Sequence, residues 1–507
     1  MTETSRDRLG ATQRAGHDRM RLAKVIGVGT VVASAVANEY GSGINFVAPQ
    51  SVGAYPGVHG LVPLAILATG IVLLPKVYLF MRFGKAMPTS GSTFGWISRT
   101  LSLPVAFITT VVWLAGVAGG IGVVSFAAGT FLAQTLASSG IPGSPQVSSA
   151  IGHIIVGLGV IWVVFGLHVA GVRAYSIAVK VLLGVIIASA VTVVVFALVT
   201  PAAQFLTNAR HVTGMALSRP HSSGPTVGGF ISVMALLVFA YGGINAAPTL
   251  GGEAQHPRGT LPRGILLAWA AALVLYSSVT FAVFIVMPWW SVPQLAKHGH
   301  TALTTIPGVM SLIAPRAVSA IFSLVVTVIV AKTLVPQFMA TSRTLFALGQ
   351  DLLLPEAFAR TNRHKAPTVA LAVTAAAGSC FLVETALTGF TAGVVIRSLG
   401  ILVVLAVLGA GVLNVRFVRP SRFWGKSWAT EATGGPLAPV AAILGIAIAI
   451  VLVRSVIVLP HKALLYQPWL QALIAILVGA LLYFQAVVRA KRLGVALSGV
   501  GAEPPVE

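Results

Sequence analysis

Apolar stretches of about twenty residues follow one another along most of this chain, and they limit its fold more than any other feature of the sequence. A stretch of that length crosses the hydrocarbon core of a bilayer as a helix. The mean hydropathy is +0.92 and only 9% of the residues are charged, which is outside the range of soluble domains. The sequence therefore predicts an all-α integral membrane protein, in contact with the lipid bilayer.

We predict twelve transmembrane helices from these stretches. Their predicted bounds are 25–48, 61–81, 105–136, 150–170, 176–200, 227–250, 264–287, 316–347, 367–386, 389–413, 438–459 and 467–488. Lysine and arginine indicate the orientation, because cytoplasmic loops are enriched in both. With the N-terminus inside, 24 of the 33 basic residues fall on the inner side and 6 on the outer side. Both termini are therefore predicted to be cytoplasmic, in a multi-pass protein of the cell membrane.

The remaining composition excludes several classes of function. The formal net charge of +22 follows largely from the asymmetry between inner and outer loops, so we expect no nucleic acid partner. Cys380 is the single cysteine, so no internal disulfide can form and no disulfide-linked partner is expected. His153 and His168 are isolated, and no His-Glu-x-x-His pattern occurs. We therefore expect no enzyme, no metal site and no cofactor.

Two short stretches, about two hundred positions apart, nearly repeat each other inside apolar runs. They are Tyr40-Gly41-Ser42-Gly43-Ile44-Asn45 and Tyr241-Gly242-Gly243-Ile244-Asn245. Glycines at these points favour an interrupted helix. In hydrocarbon the freed backbone N–H and C=O groups are tolerated only where they line a cavity, and paired interruptions mark the central site of a transporter. The alternative is that the glycines only allow close packing of neighbouring helices.

Some ionisable residues fall inside or at the edge of predicted spans, namely Glu39, Lys76, Lys332, Glu384 and Arg397. A charge at a helix centre costs at least ~2.5–3.5 kcal/mol, so each of them requires a partner or a wet cavity. Glu39, which follows Asn38, is predicted to face the cavity, either as a proton-coupling carboxylate or as an anchor for a cationic substrate. A structural ion pair with Lys332 is the alternative. Arg397 and Ser398 are predicted to line the cavity or to pack, and the role of Lys76 stays open.

Several motifs, in order along the chain, resemble those of the amino acid-polyamine-organocation permeases. They are Gly41-Ser42-Gly43-Ile44, the run from Met87 to Phe94, Phe239-Ala240-Tyr241-Gly242-Gly243, the run from Glu253 to Arg263, and Ser342-Arg343. The resemblance implies a LeuT-like fold. Residues 25–200 and 227–413 would then form two inverted repeats of five helices each, and 438–488 a peripheral pair, between cytosolic tails at 1–24 and 489–507.

The resemblance also implies which groups bind a substrate. The N–H groups of Ser42 and Gly43 would bind a carboxylate, and the carbonyl groups of Phe239 and Gly242 would bind an amine. The partial charges of interrupted helix ends agree with this arrangement. The same predicted set includes Gly41, Gly243 and Asn245. The aromatic rings of Tyr241 and Phe239 are predicted either to close over the substrate or to pack in the core.

The chain departs from the family pattern at positions that bear on ion coupling. Asn245 stands where many members have an acidic residue, and a lysine in the fifth span of some proton-coupled relatives has no counterpart. Lys332 lies in the eighth span, where sodium-coupled members of the fold place part of a cation site. Because its ammonium group can replace the charge of sodium, transport is predicted to be sodium-independent.

The expected function is secondary active transport of amino acids or related small amines by alternating access, coupled to protons or working as an exchanger. The alternative is a carrier for polyamines or for an inorganic cation, which applies if Glu39 binds the charge of the substrate. The predicted outer loop from Pro288 to Pro315 contains Trp289 and Trp290. We interpret it as an interfacial anchor or as a lid over an outer vestibule.

Overall fold

The computed structural model describes residues 26–88, 92–170, 175–221, 224–459, 462–494 and Leu497. The predicted tail at 1–24, the centre of the Met87–Phe94 motif and most of the predicted tail at 489–507 lie outside this part of the chain. A parallel bridge between Ile26 and Ala254, with a hydrogen bond of 3.0 Å from the Gln255 N–H to the Ile26 carbonyl, joins the start of the first predicted span to the end of the sixth.

The first half of the described chain is a series of α-helices, several of which begin with proline in the first turn. Proline is favoured there because its missing N–H would have no partner within the helix. The helices are α1 (Val28–Glu39), α2 (Ala48–Ala54), α3 (Val62–Val72), α4 (Leu74–Ala86), α5 (Ser92–Thr100), α6 (Leu103–Ser139), α7 (Ser144–Ser148), α8 (Ala150–Ala170), α9 (Tyr175–Val199) and α10 (Ala202–Thr213). The longest, α6, ends at Gly140, whose φ of 71° favours glycine.

The second half continues in the same way, with short helices in the loops between the long ones. Its α-helices are α11 (Val227–Leu237), α12 (Pro257–Val286), α13 (Ser291–Lys297), α14 (Ile306–Ile313), α15 (Arg316–Lys332), α16 (Leu334–Gln350), α17 (Thr368–Thr388), α18 (Thr391–Leu413), α19 (Ser427–Thr433), α20 (Leu437–Val456) and α21 (Pro468–Arg492). Two 3-10 segments, Ala240–Ala246 and Pro248–Glu253, follow α11.

Eleven helical stretches of the described chain are long and apolar enough to cross a membrane. They correspond to the second through the twelfth predicted spans. The first predicted span, 25–48, is not among them because it is divided into α1 and a separate helical segment that starts after Gly41. The all-helical membrane protein is confirmed at this level, while the twelve-helix arrangement and the pair of inverted repeats stay predictions.

Helix α6 lies at the centre of the fold. It packs against α15, α17, α18 and α21, and its own side chains are mostly buried. Helices α8, α9, α20 and α21 instead expose many large apolar side chains, among them Ile155, Val199, Ile450 and Leu477. An apolar surface of this extent suits contact with lipid rather than water. Helix α1 packs against α12 and the 3-10 segment Ala240–Ala246, which places the two glycine motifs beside each other.

Candidate functional site

The first glycine motif interrupts its helix. Helix α1 ends at Glu39, and Tyr40 has extended backbone angles of φ −74° and ψ 95°. The chain then resumes as a π-helical segment, Gly43–Val47, in which the Asn45 N–H donates to the Gly41 carbonyl at 3.2 Å. The first N–H groups of a helix have no partner within it. The N–H groups of Ser42 and Gly43 are therefore presented at a helix start near the middle of the bundle.

The second glycine motif distorts its helix in a different way. Helix α11 ends at Leu237, and the chain tightens into the 3-10 segment Ala240–Ala246, with Tyr241 at φ −90° and ψ 19°. The carbonyl group of Phe239 accepts a hydrogen bond of 3.2 Å from the Gly242 N–H. This part of the sixth predicted span is thus still helical, but it does not follow the α-helical pattern of hydrogen bonds.

A cavity of about 20 Å³ lies between the two glycine motifs, and we refer to it as the central cavity. The residues that line it are Asn38, Glu39, Gly41, Ser42, Gly43, Gly120, Val124, Phe239, Gly242, Gly243, Thr333, Gln337 and Arg397. Its volume gives room for about one or two water molecules. An amino acid is larger than this, so the structure shows the central cavity in a closed conformation.

Glu39 connects the two glycine motifs. Its Oε1 accepts a hydrogen bond of 3.0 Å from the Ile244 N–H, and its side chain is only 4% exposed. Its Oε2 is buried without a hydrogen-bond partner in the described chain. The ion pair with Lys332, considered as an alternative, is not formed, because the Lys332 Nζ donates to the Ala37 carbonyl at 2.6 Å.

Two further cations lie near Glu39. The Nζ of Lys76 donates to the Tyr241 carbonyl at 3.3 Å, and the charge of Lys76 acts on Glu39 and on Arg397. This contact gives Lys76 a place in the structure that the sequence left open. Arg397 lines the central cavity, as its position in the tenth predicted span suggested. By contrast, Glu384 lies elsewhere and accepts a hydrogen bond of 2.7 Å from the Gln471 side chain.

Some of the predicted site residues do not reach the central cavity. The Tyr241 hydroxyl donates to the Ile66 carbonyl at 3.0 Å, so its ring packs in the core rather than over the cavity. Ser398 is fully buried and its Oγ donates to the Leu236 carbonyl at 3.4 Å. Asn245 lines a separate cavity of about 10 Å³, together with Trp113 and Thr344. Phe239, in contrast, lines the central cavity itself.

The glycines of both motifs also allow close packing, which was the alternative interpretation. A Cβ atom at Gly243 would lie 2.2 Å from the Cγ of Glu39 and 2.9 Å from the Ala35 carbonyl oxygen. A Cβ atom at Gly43 would lie 2.8 Å from the Cα of Ala240. The two interpretations therefore do not exclude each other, since the same glycines line the central cavity and let the two interrupted helices touch.

A much larger cavity of about 960 Å³ opens beyond the central cavity, and we call it the vestibule. Its walls include α6, the start of α18, and residues 299–304 of the loop predicted to be an anchor or a lid. The two tryptophans of that loop do not line the vestibule. Instead, the ring of Trp289 stacks on His59 with 4.1 Å between the ring centroids.

One face of α6 passes all three cavities in order. Thr110 and Trp113 line the cavity beside Asn245, Gly120 and Val124 line the central cavity, and Thr130 lines the vestibule. Because an α-helix rises 1.5 Å per residue, the middle of the first pair lies about 16 Å from the middle of the second pair along the helix axis, and Thr130 lies about 12 Å further on. The three cavities therefore follow one another along α6, with the central cavity in the middle.

An aromatic cluster packs around Phe46 at the edge of the vestibule. The ring of Phe46 makes edge-to-face contacts with Phe126 and Phe131, each with 6.1 Å between centroids, and with Phe390 at 5.3 Å. Phe46 lies three residues after Gly43, on the segment that starts at the first helix interruption, and it lines the floor of the vestibule. The segment that borders the central cavity at Gly43 therefore also borders the vestibule, at the Phe46 side chain.

This geometry agrees with a comparison against families of known proteins. The family model described as "Amino acid permease" matches residues 26–481, which is most of the chain. The chain belongs to the amino acid permease family. The resemblance to the amino acid-polyamine-organocation superfamily is therefore confirmed. The members of this family are membrane transporters, and the permease is a multi-pass membrane protein.

Curated relatives of the permease differ in their substrates. It is 26% identical to the branched-chain amino acid permease BcaP of Lactococcus lactis subsp. cremoris, over 68% of this chain and 70% of the relative. It is 25% identical to cationic amino acid transporter 3 of Arabidopsis thaliana, over 80% of this chain and 64% of the relative. Over 28% of the chain it is 31% identical to the D-serine/D-alanine/glycine transporter of Escherichia coli K12, covering 29% of that protein.

The central cavity of the permease also contains residues that sequence reasoning missed. These are Gly120 and Val124 on α6, and Thr333 and Gln337 at the junction of α15 and α16. A Cβ atom at Gly41 would lie 2.7 Å from the Cγ2 of Thr333, so this junction is in direct contact with the first helix interruption. The sequence does contain a signal for this junction, which is a proline with polar residues on either side in the run Thr333-Leu334-Val335-Pro336-Gln337.

Proposed function

We propose that the permease is a secondary active transporter of amino acids or related small amines that works by alternating access around the central cavity. The observation that carries this proposal is that one buried cavity is lined by both glycine motifs, at the points where both spans leave α-helical geometry. Interrupted helices of this kind bind substrates at the middle of the membrane in secondary transporters. The vestibule provides one route of access to that site.

The backbone at the two interruptions provides complementary groups for a small dipolar solute. The N–H groups of Ser42 and Gly43 stand at a helix start, where partial positive charge favours a carboxylate. Carbonyl groups near Phe239 and Gly242 stand at the distorted end of α11, where an amine is favoured. Glu39 contributes a carboxylate oxygen with no hydrogen-bond partner in the described chain, and it is the candidate group for proton coupling.

Transport is proposed to be independent of sodium, either coupled to protons or as an exchange. The support is the contact of 2.6 Å between the Lys332 ammonium and the Ala37 carbonyl, near the C-terminal end of α1. A helix C-terminus carries partial negative charge, which a sodium ion would otherwise neutralise. In this permease the ammonium group of Lys332 lies at the C-terminal end of α1 instead.

A second candidate is a carrier for polyamines or for an inorganic cation. The observation that favours it is the unpartnered Oε2 of Glu39, since a buried carboxylate attracts a cationic group. The described chain contains no group of three or more His, Cys, Asp or Glu residues that could hold a metal ion. A polyamine is therefore the form of this candidate that the residues fit better.

The test is counterflow in proteoliposomes that contain the purified permease. Vesicles loaded with unlabelled L-leucine, L-lysine, glycine or D-serine are diluted into the same amino acid in labelled form, with sodium or with choline as the external cation. We expect transient accumulation of at least one of these amino acids, with the same rate in both buffers. Accumulation of labelled putrescine alone would favour the second candidate, and dependence on sodium would refute the proposed coupling.

A further inference from the structure

Arg397 is a buried cation without a partner in the described chain. Its side chain is 6% exposed, its Nη1 is buried and unpaired, and no other residue of the described chain accepts a hydrogen bond from it. An arginine side chain does not lose its proton in proteins. A permanent charge in the membrane interior without a counter-ion is strongly unfavourable, so its presence indicates a ligand that supplies the missing negative charge.

The guanidinium group lies beside the second glycine motif. A Cβ atom at Gly242 would lie 3.4 Å from its Nη2, and a Cβ atom at Gly120 would lie 3.4 Å from its Cδ. The side chain therefore runs between two glycines, one on α6 and one on the 3-10 segment, into the central cavity. The Arg397 side chain thus packs closely against both glycines.

An unpaired anion lines the same cavity. The Oε2 of Glu39 is buried without a partner, and the Glu39 side chain lies against Gly243, the residue next to Gly242. Glu39 and Arg397 do not form an ion pair within 4.0 Å in the described chain, although both line the central cavity. One cavity thus contains a cation and an anion that are both available to a ligand, which is the charge pattern of a zwitterion.

The nearby charges favour a ligand with a carboxylate over a purely cationic one. Lys76 lies near Glu39 and offsets its negative charge, and it donates to the Tyr241 carbonyl. Arg397 is then the surplus positive charge of the group. A carboxylate binds a guanidinium group through two parallel hydrogen bonds, which is a strong and geometrically selective contact. A polyamine has no carboxylate and would add positive charge beside Arg397.

We propose that Arg397 binds the carboxylate of the substrate and that the Oε2 of Glu39 binds its ammonium group, so that the permease selects α-amino acids in which both groups are free. This inference rests on the proposed function and specifies its substrate class. The N–H groups of Ser42 and Gly43 contribute further donors to the same carboxylate. These roles explain why Arg397 and the Oε2 of Glu39 have no hydrogen-bond partner within the described chain in the closed conformation.

The experiment measures discrimination between an amino acid and its derivatives. For whichever of L-leucine, L-lysine, glycine or D-serine is transported, uptake into proteoliposomes is measured in competition with its amide, its decarboxylated amine and its 2-hydroxy acid. The proteins are the wild type, Arg397→Met and Arg397→Lys. Arg454→Met is the matched control, since it removes an exposed arginine from the peripheral helix α20.

We expect the wild type to bind the amide and the amine about 100-fold more weakly than the amino acid, because each lacks the carboxylate charge. In Arg397→Met the ratio of the affinity for the amino acid to the affinity for its amide or amine falls at least about tenfold, because the amino acid binds more weakly. Arg397→Lys retains part of this preference. Arg454→Met keeps the wild-type ratio. An unchanged ratio in Arg397→Met would overturn the inference and leave amino acid transport standing.

Two other outcomes are also decisive. A wild type that transports none of the four amino acids contradicts the proposed function itself, and with it the inference. If Arg397→Met does not fold, the competition by the amide and the amine is measured in the wild type and in Arg397→Lys alone. A wild-type permease that accepts the amide as well as the amino acid would then refute a role for Arg397 in binding the carboxylate.

Discussion

Glu39 is the buried residue that joins α1 to the distorted part of the sixth span. Its Oε1 accepts a hydrogen bond from the Ile244 N–H, and its Oε2 has no hydrogen-bond partner among the residues that the structure describes. Replacement by glutamine keeps the shape and an oxygen for Ile244, but it removes the negative charge. The effects of Glu39→Gln therefore report on the charge rather than on the packing.

We predict that Glu39→Gln lowers uptake of the transported amino acid at least about tenfold at low substrate concentration, because a charge-assisted hydrogen bond is lost. We also predict a flatter dependence of uptake on pH. Lys76 and Arg397 act in the same region, so the pH profile of Lys76→Met is recorded as well. Unchanged uptake with an unchanged pH profile in Glu39→Gln would remove this residue from the mechanism.

A substitution at Gly243 tests the close packing of the two glycine motifs against each other. A Cβ atom there would meet the Cγ of Glu39 at 2.2 Å and the backbone N of Glu39 at 2.8 Å. Because the second of these is backbone, the clash cannot be relieved by a change of rotamer alone. We predict that Gly243→Ala costs about 1–3 kcal/mol through overpacking and abolishes uptake. The measurement is the midpoint of thermal unfolding of the purified protein.

The control for this change lies in the same span. Gly228, near the start of α11, has nothing within 4 Å of the position where a Cβ atom would be added. Gly228→Ala is expected to leave the midpoint and the uptake as they are in the wild type. Equal effects of the two substitutions would show that the contact at Gly243 has no special role.

The sequence predicted the central cavity well where the signal was chemical and local. Glycines, an asparagine and two charges in apolar runs pointed to Asn38, Glu39, Gly41–Gly43, Gly242, Gly243 and Arg397, all of which line the central cavity. The prediction failed where the direction of a side chain determines whether it lines the cavity. Tyr241 and Asn245 are in the motif, but a helix turns about 100° per residue, so neighbouring side chains point in different directions. The sequence does not fix that rotation.

At the scale of elements, the first glycine motif does more than interrupt a helix. The segment that follows it, Gly43–Val47, carries Phe46 into contact with α6 and with Phe390 at the start of α18. We therefore expect a change at the motif to move Phe46 at the edge of the vestibule. Sequence reasoning did not single out Phe46, because one more phenylalanine in an apolar span carries no distinct signal.

We predict that Phe46→Ala opens the central cavity toward the vestibule. The measurement is the rate at which a membrane-impermeant thiol reagent modifies Ser42→Cys, in a Cys380→Ser background. Loss of the ring removes the contacts with Phe126, Phe131 and Phe390, so we expect the rate to rise at least about tenfold.

Phe205→Ala serves as the control for this experiment. Phe205 is fully buried on α10 and lines none of the three cavities, so its loss loosens the packing without opening the pathway. We expect Ser42→Cys to react at its original rate in that background. A similar acceleration by both substitutions would mean that Phe46 only stabilises the protein.

At the scale of the whole molecule, the twelve predicted spans and the observed helices agree except at the first one. Hydropathy detects a run of apolar residues, and it does so whether or not the helix continues through that run. The structure divides the first span at Tyr40 and Gly41, and this division places Ser42 and Gly43 beside the sixth span. The amphipathic and apolar patterns therefore predict where the chain crosses the membrane, but not how two crossings meet.

The proposed alternating access would use the three cavities that α6 borders. In the closed conformation the central cavity has room for about one or two water molecules, and the Phe46 cluster borders the neighbouring vestibule. An amino acid therefore fits only if the central cavity enlarges.

The most direct test of the account is a high-resolution structure of the permease, determined by electron cryo-microscopy, with a saturating concentration of an amino acid that it transports. The account predicts density for the amino acid between residues 41–43 and 239–243, with its carboxylate on the guanidinium group of Arg397 and its ammonium group on Glu39. Density confined to the vestibule, or two unbroken α-helices with no ligand between them, would contradict it.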